Sequence, residues 1–247
     1  MKVAIAQPTY LPWLGYFDLI DQVDAFVLLD SVQFEKQSWQ QRNRIKTPGG
    51  LQWLTVPVKI KGRSTQLIRD VEVAETDFYL KHLNLIRANY RTAPYFESLF
   101  DPLSAILKER AQEGNLAAMN IRLIEWLAAA LRVRTPLLRS STLGVEGKRA
   151  RLNLAICEAL GATEYHSAIG SADYLLEEAD IFLERGIGIY FQNYRHPEYK
   201  QLFPPFHPFA SVVDVMLNEG PLSAEIIRQG RGASLLPAQV ALHANSA

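Results

Sequence analysis

Three stretches of this chain gather the polar, aromatic and titratable side chains from which a reaction site can be built. The first is Gln7-Pro8-Thr9-Tyr10-Leu11-Pro12-Trp13-Leu14-Gly15-Tyr16-Phe17. Pro8 and Pro12 fix φ and remove backbone donors, which stiffens the segment, and Gly15 permits a tight turn or a close backbone approach. Tyr10, Trp13 and Tyr16 carry aromatic faces with polar tips, able to hold a sugar or base ring and hydrogen-bond its edge. A packed aromatic loop covering a sheet end is the equal alternative. The second stretch runs from Asp30 through Gln33 and Trp39 to Arg42-Asn43-Arg44-Ile45-Lys46. Guanidinium forks match phosphate geometry, so Arg42, Arg44 and Lys46 could clamp a diphosphate; a solvated basic loop is as common. The third stretch is Tyr199-Lys200-Gln201 and the loop Phe203-Pro204-Pro205-Phe206-His207-Pro208-Phe209, closing on Ser211 and Asp214. His207 is a candidate general base near neutral pH, although an inert loop histidine is commoner. Ser211 suits a helix N-cap.

Several signatures are missing. There is no Walker loop, no Gly-x-Gly-x-x-Gly, no His-Glu-x-x-His, no cysteine pair for zinc and no Gly-x-Ser-x-Gly elbow. Metal, hydride-transfer and serine-hydrolase chemistry lose weight accordingly, and no metal or other cofactor is expected. The one cysteine, Cys157, excludes an intramolecular disulfide and fits a reducing compartment. It lies on the apolar side of a helix-like run, where a buried small hydrophobe is the usual case and a nucleophile the rarer one.

These stretches hang on a scaffold that the apolar pattern outlines. The short apolar run at residues 3–6 stops at Pro8, and the run at 25–29 ends on Asp30. Both read as buried strands, with a short helix from about residue 14 between them. Strand–helix–strand at this spacing is a parallel βαβ unit. In open parallel sheets ligands sit beyond the carboxyl ends of strands, where Gln7 and Asp30 both fall. Residues 53–58 read as an edge strand and 67–73 as a half-exposed one. Residues 76–131 carry three helical patterns, and residues 136–191 return to alternating strands and helices. A last helix starts near Ser211, and residues 231–247 lack periodicity and read as a disordered tail. The expectation is an α/β fold with an open, mostly parallel sheet, Rossmann-like or nucleotidyltransferase-like, in one domain over residues 1–230 with a helical insertion at about 76–131.

Of 247 residues, 48% are hydrophobic and 21% charged, with 26 basic against 26 acidic. That balance provides no global field for nucleic acid or an anionic membrane, so an anionic ligand needs a local basic cluster. No stretch reaches the ~18 apolar residues of a membrane helix, and the N-terminus lacks a signal-peptide pattern; a cytoplasmic protein is expected.

The order of these motifs resembles the WbqC-like proteins. The resemblance covers residues 7–17, Asp30-Ser31-Val32-Gln33-Phe34, and Trp39 with Arg42-Asn43-Arg44-Ile45-Lys46. It continues through Gly161-Ala162-Thr163, Gly170, Tyr174-Leu175, Phe182, Gly186-Ile187 and Tyr199-Lys200-Gln201 to Phe206, Phe209, Ser211 and Asp214-Val215. Those proteins often carry histidine before the Gln-Pro pair, where this chain has Ala6. The resemblance implies a bacterial transferase of O-antigen or other surface-polysaccharide biosynthesis, moving a glycyl or related acyl group onto the amine of a nucleotide-linked amino sugar. On that reading Arg42 and Arg44 hold the diphosphate, and Tyr10, Trp13 and Trp39 pack the sugar or base. Asp30, or Asp214, accepts a proton, while Gln7 and Asn43 orient the amine or donate to the oxyanion. An acyl-carrier protein or acyl thioester is the implied donor. Two alternatives stay open: a nucleotidyltransferase-like enzyme, and a non-catalytic binder of a glycan precursor.

Overall fold

Strand β1 (Lys2–Ala6), helix α1 (Leu14–Asp21) and strand β2 (Ala25–Leu28) form the first unit, and the two strands pair in parallel from Val3↔Ala25 to Ala6↔Leu28. The computed structural model describes residues 1–244. The chain then makes an antiparallel hairpin, β3 (Arg42–Thr47) and β4 (Gly50–Thr55), apart from the main sheet. Three helices follow, α2 (Phe78–Tyr90), α3 (Phe96–Glu113) and α4 (Leu116–Ala130). Strand β5 (Leu137–Arg139) leads to α5 (Arg149–Ala159) and β6 (Glu164–Ser167). Short helices α6 (Ala172–Glu177) and α7 (Asp180–Leu183) precede β7 (Gly188–Phe191). The chain ends in α8 (Val212–Glu219), α9 (Ser223–Gln229) and α10 (Pro237–Ala244).

The five-stranded sheet has the order β5-β2-β1-β6-β7, and every pairing is parallel. From β1 the chain builds outward through β2 to β5, then crosses to build β6 and β7 on the other side. That reversal makes a Rossmann-like sheet with its switch point beside β1. Side-chain alternation sorts the strands onto two cores. Val3, Ile5, Ala25 and Val27 face a core shared with Ile156, Leu175, Phe182 and Ile189; Ala4, Phe26 and Leu28 face one built from α1–α4 and α8. Burial on both faces explains why these strands read as unbroken apolar runs.

Three expectations need correction. The basic segment after Asp30 is not a loop from Arg42 onward but strand β3, so Arg42, Arg44 and Lys46 share one side at period two. Residues 67–73 are not a strand: Ile68–Asp70 is a single 3₁₀ turn, flanked by isolated bridges to Gln33, Val58 and Asn115. Alternation there has no long partner edge to pair with, so Ile68 and Val71 bury as single plugs. The tail from residue 231 is partly ordered. Leu235 exchanges backbone hydrogen bonds with Phe191, extending the β7 edge, and Val240 of α10 is buried. Residues 245–247 lie outside the described part of the chain.

Candidate functional site

The chain leaving β1 is clasped from three directions. Asn120 of α4 donates to the carbonyls of Pro8 (3.0 Å) and Gln40 (2.7 Å). Asn43 of β3 donates to the carbonyls of Tyr10 (3.2 Å) and Leu11 (2.7 Å), while its own Oδ1 accepts from the Arg44 amide. Gln192, just past β7, donates to Gly15 O and Asp18 Oδ2, both at 2.8 Å. Asp18 is buried and also accepts from Arg231 Nε at 2.8 Å. Burial raises its pKa against those bonds. The start of α8 locks the same segment to the hairpin: Ser211 N donates to Arg44 O and Val212 N to Pro12 O, both at 2.8 Å. The Ser211 hydroxyl caps this helix by accepting from Val213 N at 3.3 Å.

These clasps shape a cavity of about 300 Å³ lined by Thr9, Trp13, Tyr16, Trp39, Asn43, Arg44 and Phe209. It lies past the carboxyl end of β1, beside the switch point. Gly15 makes it possible: a Cβ there would sit 2.3 Å from the Trp13 ring, which folds back over the glycine. On the hairpin, Arg44 stands opposite Trp53, and basic and aromatic groups interleave. The Arg42 guanidinium lies 4.3 Å over Trp53, and that of Arg44 lies 5.3 Å from Trp53 and 5.5 Å from Trp39. Arg44 Nε is buried without a hydrogen-bond acceptor among the described residues, a costly state for a donor. Trp39 and Trp53 remain 46% and 41% exposed, so the aromatic ladder faces outward.

The remaining residues singled out in the sequence fall elsewhere. Tyr10 is fully buried, with its hydroxyl 2.9 Å from His82 Nδ1, and burial pushes its pKa up; it is core, not cavity wall. Gln7 is a brace, its Oε1 accepting from Gln40 Nε2 (2.9 Å) and its carbonyl from the Tyr16 hydroxyl (3.1 Å). Gln33 is exposed and donates to Ser64 O. His207 uses its backbone amide on Gln201 Oε1, and its ring lies beside Gly50 at the hairpin turn.

Neither carboxylate is placed to take a proton from a ligand in the cavity. Asp30 accepts from Arg139 Nε (2.9 Å), Ser140 Oγ (3.1 Å), Ser141 N (2.9 Å) and Ser141 Oγ (2.9 Å). Burial opposes its charge, but these bonds win and its pKa falls. It is an ionised knot joining the ends of β2 and β5. Asp214 lies in a second knot, accepting from Tyr90 and Tyr199 hydroxyls at 2.5 Å and from Gln201 Nε2 at 2.8 Å. Burial pushes its pKa up against those bonds. Lys46 is buried nearby and donates to Pro205 O at 2.7 Å, which ties the proline-rich loop to the hairpin.

Sequence reasoning missed His196. Its Nδ1 lies 2.9 Å from Pro197 O, which assigns the proton to Nδ1 and leaves Nε2 bare. Nε2 is buried without a partner among the described residues, and burial lowers the pKa, so the ring is neutral at pH 7. The ring stacks on Trp13 (centroids 6.3 Å, 18°) and meets Phe209 at 5.3 Å, directly behind two walls of the cavity. Its sequence signal was only a histidine preceding a proline in a loop. Asn120 gave none at all, because an asparagine amid helical apolar residues reads as an exposed position.

No cluster of three or more histidine, cysteine or acidic side chains suited to a metal occurs among the described residues, and none of their helices is long and apolar enough to cross a membrane. Fold and site together define an α/β protein with a Rossmann-like parallel sheet and an aromatic, arginine-lined cavity beyond its strand ends. The model of the WbqC-like protein family matches residues 7–226, and the chain belongs to that family. It is also 39% identical over 232 residues to the uncharacterized protein Rv1507c of Mycobacterium tuberculosis, covering 93% of this chain and 99% of that protein. No solved structure matches it.

Proposed function

We propose that this protein is a cytoplasmic transferase of bacterial surface-polysaccharide (O-antigen) biosynthesis that moves a glycyl or related acyl group from a thioester to the amine of a nucleotide-linked amino sugar. The observation that carries the reading is the cavity itself. Four aromatic side chains, an arginine Nε without an acceptor among the described residues and a volume of about 300 Å³ suit one sugar ring with a polar edge. The amine nitrogen attacks the acyl carbonyl, the amide C–N bond forms and the C–S bond breaks. The amine proton passes to a base and from there to the departing thiolate. His196 replaces Asp30 and Asp214 as the proposed base, since its Nε2 is a neutral acceptor with no partner among the described residues, on a ring stacked behind the Trp13 wall. Rotation of Phe209, 47% exposed, is the movement that would bring it to a ligand.

A binder of the same precursor is the second reading, favoured by one feature: among the described residues no carboxylate, histidine or cysteine lines the cavity directly. The test is incubation with a panel of nucleotide-linked amino sugars and acyl thioesters, followed by mass spectrometry. An acyl mass added to the sugar by the wild-type chain, lost in His196→Asn while sugar binding persists, supports the transferase. Tight sugar binding with no product from any donor supports the binder. Full turnover in His196→Asn removes the base assignment.

A further inference from the structure

A second, larger cavity of about 780 Å³ opens beyond the carboxyl ends of β2 and β5, roofed by the loop that enters α5. Its lining divides into two chemistries. Arg69, Lys148 and Arg151 supply three cations against one acid, Glu146. Among the described residues Lys148 meets no carboxylate, Arg69 reaches only Asp70 at 3.9 Å, and Arg151 only Glu178 at 3.7 Å. Arg139, the other cation at this strand end, is already consumed by Asp30. The floor is Ser31, Ser140 and Ser141. Their protons point inward. Ser140 and Ser141 donate to the Asp30 carboxylate, and the Ser31 hydroxyl lies 2.8 Å from Ser140 Oγ, which leaves Ser31 as the donor. Ser140 Oγ is already taken by the amides of Asp30 and Ser31, so the buried carboxylate leaves the Ser31 and Ser141 oxygens as the acceptors of this floor, while the rim provides donors and positive charge.

Gly147 fixes the roof. With φ at +149° its Cα packs so closely on α5 that a Cβ would lie 2.9 Å from Leu152 backbone atoms. The loop is thereby folded onto the first turn of α5, and the flanking Lys148 is set at the rim. Lys148 at the N-cap makes no side-chain capping bond, so the amide dipoles of that turn add to the field of the three cations.

We infer that this cavity binds the phosphorylated part of a sugar phosphate or nucleotide, with phosphate oxygens on Arg69, Lys148 and Arg151 and sugar hydroxyls donating to Ser31 and Ser141. A floor of acceptors beneath a rim of cations matches a ligand that is anionic at one end and hydroxylated at the other. A bare dicarboxylate would leave the serine oxygens unused. The assignment moves the phosphate away from Arg42 and Arg44, which are stacked on tryptophan faces. It stands on this cavity alone, whether or not the aromatic cavity takes a sugar.

Titration calorimetry on the full chain with uridine diphosphate, pyrophosphate and uridine tests it. The expected order is uridine diphosphate tightest, pyrophosphate weaker and uridine weakest. The double variant Lys148→Gln/Arg151→Gln, exposed and harmless to folding, should weaken the diphosphates by about 10- to 100-fold, as loss of two charge-assisted bonds does. Ser31→Ala should weaken uridine diphosphate but not pyrophosphate. Arg44→Gln, in the other cavity, should leave uridine diphosphate binding within about twofold, since it removes no contact with the phosphates. Absence of binding by all three probes at millimolar concentration overturns the inference. So does the reverse pattern, in which Arg44→Gln abolishes binding and the double variant does not. An equal effect of Ser31→Ala on both diphosphates would sink the role given to the serine floor.

Discussion

Replacing Asp30 by asparagine isolates the part this carboxylate plays. The side chain is fully buried and binds Arg139, Ser140 and Ser141, so the amide that replaces one oxygen must face donors with a donor of its own. Breaking a buried, hydrogen-bonded ion pair costs about 3–5 kcal/mol. Arg139 is 43% exposed and can return its charge to water, which favours the lower end, about 3 kcal/mol. For a chain of this length each kcal/mol moves the melting temperature by roughly 2–4 °C, so Asp30→Asn should melt about 6–12 °C lower. The pH dependence gives a second signature. The Asp30 pKa is lowered on folding, so its contribution is complete above the unfolded carboxylate value of about 3.9 and disappears as pH falls through the folded value. The stability gap between wild type and variant, measured by urea denaturation, should be constant near neutrality and shrink below about pH 4. Other acid-labile groups are common to both proteins and cancel in the difference. If Asp30→Asn melts within about 1 °C of wild type yet abolishes acyl transfer, the carboxylate is the proton acceptor after all and the anchoring argument fails.

Gly15→Ala should push the Trp13 ring out of its seat, costing roughly 1–3 kcal/mol as overpacking does. Ligand affinity at the aromatic cavity should fall, and tryptophan fluorescence should shift; an unchanged emission spectrum would refute the seat. His82 is buried between the Tyr10 hydroxyl and Thr55 O, and burial lowers its pKa to about 4. Its neutral form stabilises the fold fully above the unfolded value of about 6.5, and that contribution declines as pH drops toward 4. A decline on the order of 3 kcal/mol follows, and His82→Gln should flatten the slope of stability between pH 6.5 and 4. The Cys157 thiol is buried and its pKa is pushed up to about 12. It should resist thiol reagents in the folded protein and react only at the rate of unfolding, a result that rapid labelling at pH 8 without denaturant would contradict.

The sheet was legible because its strands are buried on both faces. Residues 3–6 and 25–29 can only read as apolar runs, and Pro8 and Asp30 mark where each one ends. The cavity was legible in part. Trp13, Tyr16, Trp39, Asn43 and Arg44 were visible as residue types and line it together, because they lie just after one strand or on the hairpin that docks there. What each side chain does was not legible. Asp30 and Asp214 look alike in sequence, as carboxylates after or beside apolar runs. Only the arrival of Arg139, Ser140 and Ser141 from 109–111 residues away makes the first a saturated anchor. Only Tyr90, 124 residues upstream, together with the nearer Tyr199 and Gln201, closes the second. Asn120 and His196 were invisible for the same reason: hydrogen-bond partners are set by packing between distant segments, and local pattern carries no information about them. Sequence alone determined the parallel α/β scaffold and the stiff, aromatic character of the segment after β1, since burial periodicity and proline act within a few residues. Tertiary structure alone decided which polar groups are spent on holding that segment in place and which, like Arg44 Nε and His196 Nε2, are left without a partner among the described residues.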